Sequence, residues 1–358
     1  MIRGTLAVVI LAGILAGCGP APSAAPAPIV TPPPFPSILT VMTHDSFSIS
    51  ASVLAEFERT HNAKIQFVKA GDAGTMLNKA ILAKGNPLAD VLYGVDNTYL
   101  SRALREGIFE AYASPLLADL PEDVRLDPED RALPIDFGDV CLNYDKAYFA
   151  ERRLPPPDSL DDLTRPEYKG LLVVQDPSTS STGLAFLIAT VGAFGDPEYL
   201  TYWEGLAAND VLVVSGWETA YNTEFSGSSG RGPRPVVVSY GSSPVFEMVY
   251  AASPPSEPPT AAVVADDTCF RQVEFAGILK GTANRSLAEA WIDFMLSTSF
   301  QQDLPLQMYV FPVNPKAQLD PVFEKYLAVP EAPVMVSPQE IDANREAWIK
   351  AWREVVLR

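Results

Sequence analysis

The stretch that decides the fold is Ile38–Val95, ILTVMTHDSFSISASVLAEFERTHNAKIQFVKAGDAGTMLNKAILAKGNPLADVLYGV. Short apolar runs alternate in it with amphipathic segments, which is the pattern of an α/β protein. Ile38–Met42, Lys64–Val68 and Asp90–Val95 are predicted strands. Between them, Val53, Leu54 and Phe57, and then Met76, Leu77, Ala80 and Ile81, recur at helical spacing. Downstream, Ile135–Tyr144 returns to strand character and opens a second series. Its strands are Leu171–Gln175, Val211–Val214, Pro235–Ser239 and Ala261–Val264, with helices through Leu184–Ala193, Glu198–Leu206 and Pro244–Tyr250. Phe270–Leu279 is a further strand. Late helices follow at Leu287–Leu296 and at the C-terminus, where Ser337-Pro338-Gln339-Glu340 supplies a capping serine, a first-turn proline and a glutamate three residues after the cap. The Gly/Ser-rich insert Phe225–Pro235 is predicted to be a mobile surface loop.

Upstream of Ile38 the character is different. Arg3 and the apolar run Leu6–Leu15 form a secretory leader, too short to span a bilayer as a helix of about 20 residues. Leu15-Ala16-Gly17-Cys18 resembles the lipobox of bacterial lipoproteins, so Cys18 is predicted to become a lipidated first residue, with an ordinary signal peptide as the alternative. Eight of the 33 prolines lie between Pro20 and Pro36. Such chain is extended and semi-rigid, and residues 18–36 are read as a tether from a membrane surface to the domain.

The 358 residues, 47% of them hydrophobic, can build a two-part core. A formal charge of -18 disfavours nucleic acid as a partner. Two histidines and three cysteines without a CxxC pair leave too few soft ligands for a zinc or haem site; no metal is assigned, with an oxygen-ligated cation site as the open alternative. In an exported chain Cys141 and Cys269 are predicted to form a disulfide, the alternative being two buried thiols.

Ligands of open α/β sheets bind at the C-terminal ends of strands, and four segments lie there. Asp72, in Gly71-Asp72-Ala73-Gly74, either meets a cationic ligand or caps a helix. Ser180 and Ser181 open a helix suited to an anion, or simply cap it. Trp217, in Gly216-Trp217-Glu218-Thr219-Ala220-Tyr221, either stacks on a flat cationic ring or packs in the core. Tyr240-Gly241-Ser242-Ser243-Pro244 places an aromatic ring beside small donors, with Phe246 in the next turn.

Taken in order, these segments resemble the thiamine-binding proteins of bacterial ABC importers, which are two-lobed periplasmic binding proteins. The resemblance runs from Leu39–Phe47 through Ala89-Asp90-Val91 and Gly94-Val95-Asp96-Asn97. It continues in Asp136-Phe137-Gly138, Asn143–Lys146, Gln175-Asp176-Pro177, Gly216-Trp217, Ala220-Tyr221 and Ser239-Tyr240. It closes with Phe311-Pro312-Val313 and Arg345–Trp348. It implies two lobes, each a mixed sheet flanked by helices and joined by two crossing strands. Residues 37–137 with 273–358 form the first lobe and 138–272 the second. It further implies that Asp72 and Ala73 contact the ligand and that Ser180 and Ser181 face a phosphate. Trp217 stacks, and Tyr221, Tyr240, Gly241, Ser242, Ser243, Phe246 and Tyr309 line or wall the pocket. His44 stands where the family is expected to carry tyrosine, and Ala73 where it carries glycine.

The implied function is capture without catalysis. A monomeric, lipid-anchored extracytoplasmic protein without a cofactor takes thiamine or its phosphates and delivers them to an ABC permease. The alternatives are a carrier of the same fold for a polyamine or ferric iron, and a lipid-anchored hydrolase using Ser180 or Ser242. The first lacks a Tyr-Tyr pair for iron, and the second lacks a Gly-x-Ser-x-Gly elbow.

Overall fold

Among the described residues, eleven strands build one curled sheet: β1 (Ser37–Thr43), β2 (Ala63–Lys69), β3 (Val91–Asp96), β4 (Phe109–Glu110), β5 (Leu133–Asp145), β6 (Leu172–Gln175), β7 (Leu212–Val214), β8 (Val236–Tyr240), β9 (Thr260–Val263), β10 (Phe270–Leu279) and β11 (Phe311–Pro312). The structure is a computed structural model that describes Met1 and residues 36–228, 232–251, 253, 255–334 and 336–357. Cys18, the leader and most of the tether lie outside the described residues. The sheet belongs to the compact unit that runs to Arg358.

The strand order is β2-β1-β3-β10-β5-β8-β6-β7. The first three are parallel, with β1 against β2 from Ser37↔Ala63 to Thr43↔Lys69. β10 then runs antiparallel to both β3 and β5. Beyond Val140, β5 pairs with β8 and β9 instead, and β6 lies parallel between β8 and β7. The two long strands β5 and β10 therefore cross between a β2-β1-β3 lobe and a β8-β6-β7 lobe. Helices cover the faces of these lobes, which is why β3 and β8 are buried along their whole length and read as continuous apolar runs rather than alternating ones.

The expected strands are present with ends moved by one or two residues, the ordinary uncertainty of an element end. The helix Ser181–Phe194 is apolar all round and buried over its first eleven residues, as befits a helix packed on every side. Ser337 caps the C-terminal helix Pro338–Val356 by accepting the Glu340 N–H at 3.2 Å. That helix sends Trp352 edge-on against Trp203, ring centres 5.5 Å apart, so it packs on Glu198–Ala208 in the part that the sequence division gives to the second lobe.

The insert 225–235 is not a free loop at its ends. Phe225 is fully buried and bridges Arg234, because its ring packs against Tyr221; residues 229–231 lie outside the described residues. Among the described residues no helix is long and apolar enough to cross a membrane. Cys141, in β5, and Cys269, just before β10, are joined by a disulfide across 128 residues of chain.

Candidate functional site

A cleft of about 270 Å³ opens where the crossing strands meet the two lobes. One wall is aromatic. Trp217 follows β7, and its indole stacks on Tyr221 (centres 5.0 Å, planes 12° apart) and meets the edge of Tyr309 at 5.6 Å. Its Nε1 donates to Ser239 Oγ at 2.9 Å, and Ser239 is bonded in turn to Ser243 Oγ at 2.8 Å. The indole is thus fixed in angle as well as in place. Tyr309 lies in the left-handed region (φ 64°) at the end of the helix Thr298–Met308, stacked on Phe246 with centres 3.4 Å apart. The Ser242 hydroxyl donates to its carbonyl.

The aromatic and serine residues expected at the site therefore form two layers. Trp217, Tyr240 and Tyr309 line the cleft. Tyr221, Ser242, Ser243 and Phe246 stand behind them and support their orientation. Gly241 lies elsewhere, on a groove beside Lys146 and Tyr326, because its N–H is tied to the Asp139 carbonyl at 2.8 Å.

Asp72 joins two walls. It caps the helix Ala73–Leu82, accepting the Ala73 N–H at 2.7 Å, and also receives the N–H of Trp217 at 2.9 Å and of Ser181 at 3.4 Å. Burial raises its pKa, outweighing the N–H of Trp217 and the charge of His44. The capping and site roles thus coexist. Ala73 is buried behind it and does not line the cleft. Alongside, Gly74 N–H donates to the Thr179 carbonyl at 3.0 Å and Tyr99 Oη to that of Pro177 at 3.0 Å. Of the expected hydroxyl pair, only Ser181 reaches the cleft. Ser180 is fully buried as the N-cap of its helix, bonded to Gly183 N–H and Thr182 Oγ1, and Thr182 takes the place beside Ser181.

The floor is acidic, and sequence reasoning missed it. The register sets Glu274 opposite Asp96 on one side and opposite Asp136 on the other. Three carboxyls thus share one rung of β3, β10 and β5, all of them buried, an arrangement that costs energy unless charge is removed or paired. Tyr93 Oη donates to Asp136 at 2.5 Å and to Glu274 at 3.1 Å. Gln272 Nε2 donates to Asp96 at 2.6 Å and its Oε1 receives Tyr240 Oη at 3.3 Å. Burial and the Glu274 charge push the Asp136 carboxyl well above its ordinary pKa. Burial, with donors from Thr98 opposing it, moves Asp96 to about 6.

His44, just past β1, brings its Nε2 to 3.7 Å from Glu274 Oε2. Burial opposes charge on this imidazole, but Glu274, and then Asp72, outweigh it and raise the His44 pKa. Burial likewise opposes ionisation of Glu274, yet His44 and the donors Tyr93 and Asp136 hold its pKa below the ordinary value. Gly94 makes room for the ring. It sits at φ +102°, and a Cβ there would come within 2.3 Å of His44 Cδ2. Glu274, Asp45, Lys69, Thr182, Glu218 and Gln307 also line the cleft. A glycine beside a strand-end histidine and an acid inside an apolar strand were signals available in the sequence. Their convergence depended on pairing register.

Chemically, the cleft offers a flat aromatic face, a carboxylate floor and the start of a helix, a set that holds a planar cation with an anionic substituent. Among the described residues no group of three His, Cys, Asp or Glu side chains is arranged to hold a metal ion.

Residues 86–330 match the family of bacterial extracellular solute-binding proteins. The chain is 31% identical over 326 residues to the thiamine-binding periplasmic protein of Salmonella typhimurium strain LT2, covering 90% of this chain and 94% of that one. It is 30% identical over 325 residues to the protein of the same description from Escherichia coli strain K12, with the same coverage. Among solved structures, a periplasmic thiamin binding protein superposes with a TM-score of 0.79 at 29% identity, covering 90% of this chain and 97% of that one. These relatives are binding proteins rather than enzymes.

Proposed function

The chain belongs to the bacterial extracellular solute-binding proteins, and within them we propose that it captures thiamine, with its phosphates, and hands it unaltered to an ABC permease. The observation that carries this reading is the Trp217 indole, held by Ser239 and Tyr221 with one face on a cleft whose floor is a carboxylate. A thiazolium or aminopyrimidine ring is flat and electron-poor and stacks favourably there, by about 0.5 to 2 kcal/mol as a cation–π contact. Ser181 and Thr182 open a fourteen-residue helix at the other end, where their hydroxyls and the helix dipole favour a phosphate.

In this proposal residues 37–137 with 273–358 and residues 138–272 are lobes that close by bending at β5 and β10, with the C-terminal helix Pro338–Val356, which touches Thr98 in the first and Trp203 in the second, bridging them. Asp72 is the point at which the closed walls meet. The protein works as a monomer outside the cytoplasm, tethered through a lipid on Cys18, and needs no cofactor.

Titration of the purified domain with thiamine and with its monophosphate, followed by tryptophan fluorescence beside calorimetry, tests the reading. Saturable quenching is expected, and Trp217→Ala should remove the quenching and weaken binding. Absence of heat and of quenching with every thiamine species would end this reading of the function.

A further inference from the structure

The strand-end histidine is the feature of the cleft that the proposed function does not explain. His44 is 8% exposed, and its Nε2 has no hydrogen-bond partner while facing Glu274 Oε2 at 3.7 Å. Its ring is confined by Gly94 behind it and by Tyr93, centres 5.7 Å apart. Both His44 and Glu274 line the cleft. We propose that His44 is a specificity-determining residue: when neutral it leaves Glu274 as a free carboxylate for a permanently cationic ligand, and when protonated it occupies Glu274 and favours the phosphorylated, net anionic forms. This inference rests on the proposed capture of thiamine and names what selects among the ligands of that site.

Around this pair the other charged and titratable groups are engaged: Asp45 accepts the Gly71 N–H at 2.9 Å, Tyr240 donates to Gln272 at 3.3 Å, and Asp96, with a pKa of about 6, titrates at the acid end of the range. Asp72 has its carboxylate engaged by three backbone N–H groups. Lys69, at the end of β2, donates its Nζ to the Asp45 carbonyl at 2.7 Å. On β3, Tyr93 bonds both Asp136 and Glu274, and Asp96 is enclosed by Thr98, Tyr99 and Gln272. On β5, burial and the Glu274 charge favour protonated Asp136. Glu218 faces the cleft from the opposite wall. A thiazolium entering this space competes with the imidazolium for one carboxylate, and two cations about one anion repel. Binding of the cation must therefore release the His44 proton, and affinity must rise with pH by linkage.

Calorimetry on the full domain in buffers of different ionisation heat, between about pH 6 and pH 8, reads this directly. Proton release on binding thiamine is expected. Its affinity should rise about tenfold across that range, the change that corresponds to one pKa unit of coupling. The monophosphate, whose thiazolium meets the same carboxylate while its phosphate gains from the imidazolium, should show a shallower slope. His44→Gln should flatten both profiles once the ligands' own titrations are subtracted, holding thiamine near its high-pH affinity. Glu274→Gln should flatten them too, holding thiamine near its low-pH affinity. Thiamine binding without proton release, or an unchanged slope in His44→Gln, overturns the inference and leaves the function standing. No thiamine binding at any pH sinks the function itself. If either variant fails to fold, proton release by the unaltered protein between pH 7 and pH 8, where Asp96 with its pKa of about 6 is largely ionised, decides.

Discussion

At the aromatic wall, Trp217 and Tyr309 are backed ring on ring by Tyr221 and Phe246. At the floor, His44 and Glu274 are backed by Tyr93, Asp136 and Asp96 on neighbouring strands. The wall is held by packing, which loses energy when volume is removed and is indifferent to pH. The floor is held by shared protons and ion pairing in a place with little water, where one proton changes what the cleft attracts. The wall thus supplies affinity for any flat ring, and the floor distinguishes rings by charge.

Four changes test that contrast. The largest effect is expected behind the floor, where the disulfide ties β5 to the start of β10. Replacing Cys141 and Cys269 by alanine should cost about 4 to 5 kcal/mol in urea unfolding, the value for a closed loop of more than 100 residues. Thiamine affinity in the surviving folded protein should change far less. Next, Phe246→Ala should cost about 3 kcal/mol of stability through the cavity it leaves. It should also weaken binding, because Tyr309 loses the ring it lies on. Weakened binding without lost stability would contradict the packing account of the wall.

Asp72→Asn removes a charged acceptor from three N–H groups and should weaken binding by about 2 kcal/mol. Because both walls meet on this carboxylate, the loss should be alike for thiamine and its monophosphate. A loss confined to thiamine would move Asp72 from joining the walls to reading the ligand's charge.

The smallest effect concerns the empty protein. The His44 pKa is raised on folding, so its contribution is fully present below its unfolded value near 6.5 and is lost as pH rises through the folded pKa. The Glu274 pKa is lowered, so its contribution is present above the unfolded carboxyl value and is lost as pH falls through the folded pKa. The pair should therefore add stability most fully in the window between roughly pH 5 and 6.5. Melting temperatures of the unaltered protein and His44→Gln should diverge there and converge above it. A constant gap would remove the ion pair from the account.

Much of the wall was legible in the sequence because Trp217 and Tyr240 follow strands, positions that local pattern reveals, whereas Tyr309, at a helix end, was indicated only by the resemblance. Even there the layers were not separable: Tyr221 and Phe246 look no different from Trp217 until Ser239 and Tyr309 fix which ring faces the cleft. Ser180 and Thr182 show the same limit, since a two-residue step along a helix start decides which hydroxyl caps and which is presented. The short strands β4 and β11, and a helix that carries Pro305 in its interior, lacked a period long enough to read.

By itself the sequence determined the alternation of strands and helices and the aromatic and hydroxyl composition of the strand ends, because hydrophobic period and capping chemistry act over a few residues, while the two crossing strands came from the family resemblance. Only the tertiary structure decided the floor. Asp96, Asp136 and Glu274 come from strands far apart in the chain, and they meet on one rung because antiparallel pairing of β10 with both β3 and β5 fixes their register. Electrostatic coupling depends on distance through space, and distance along the chain carries no record of it.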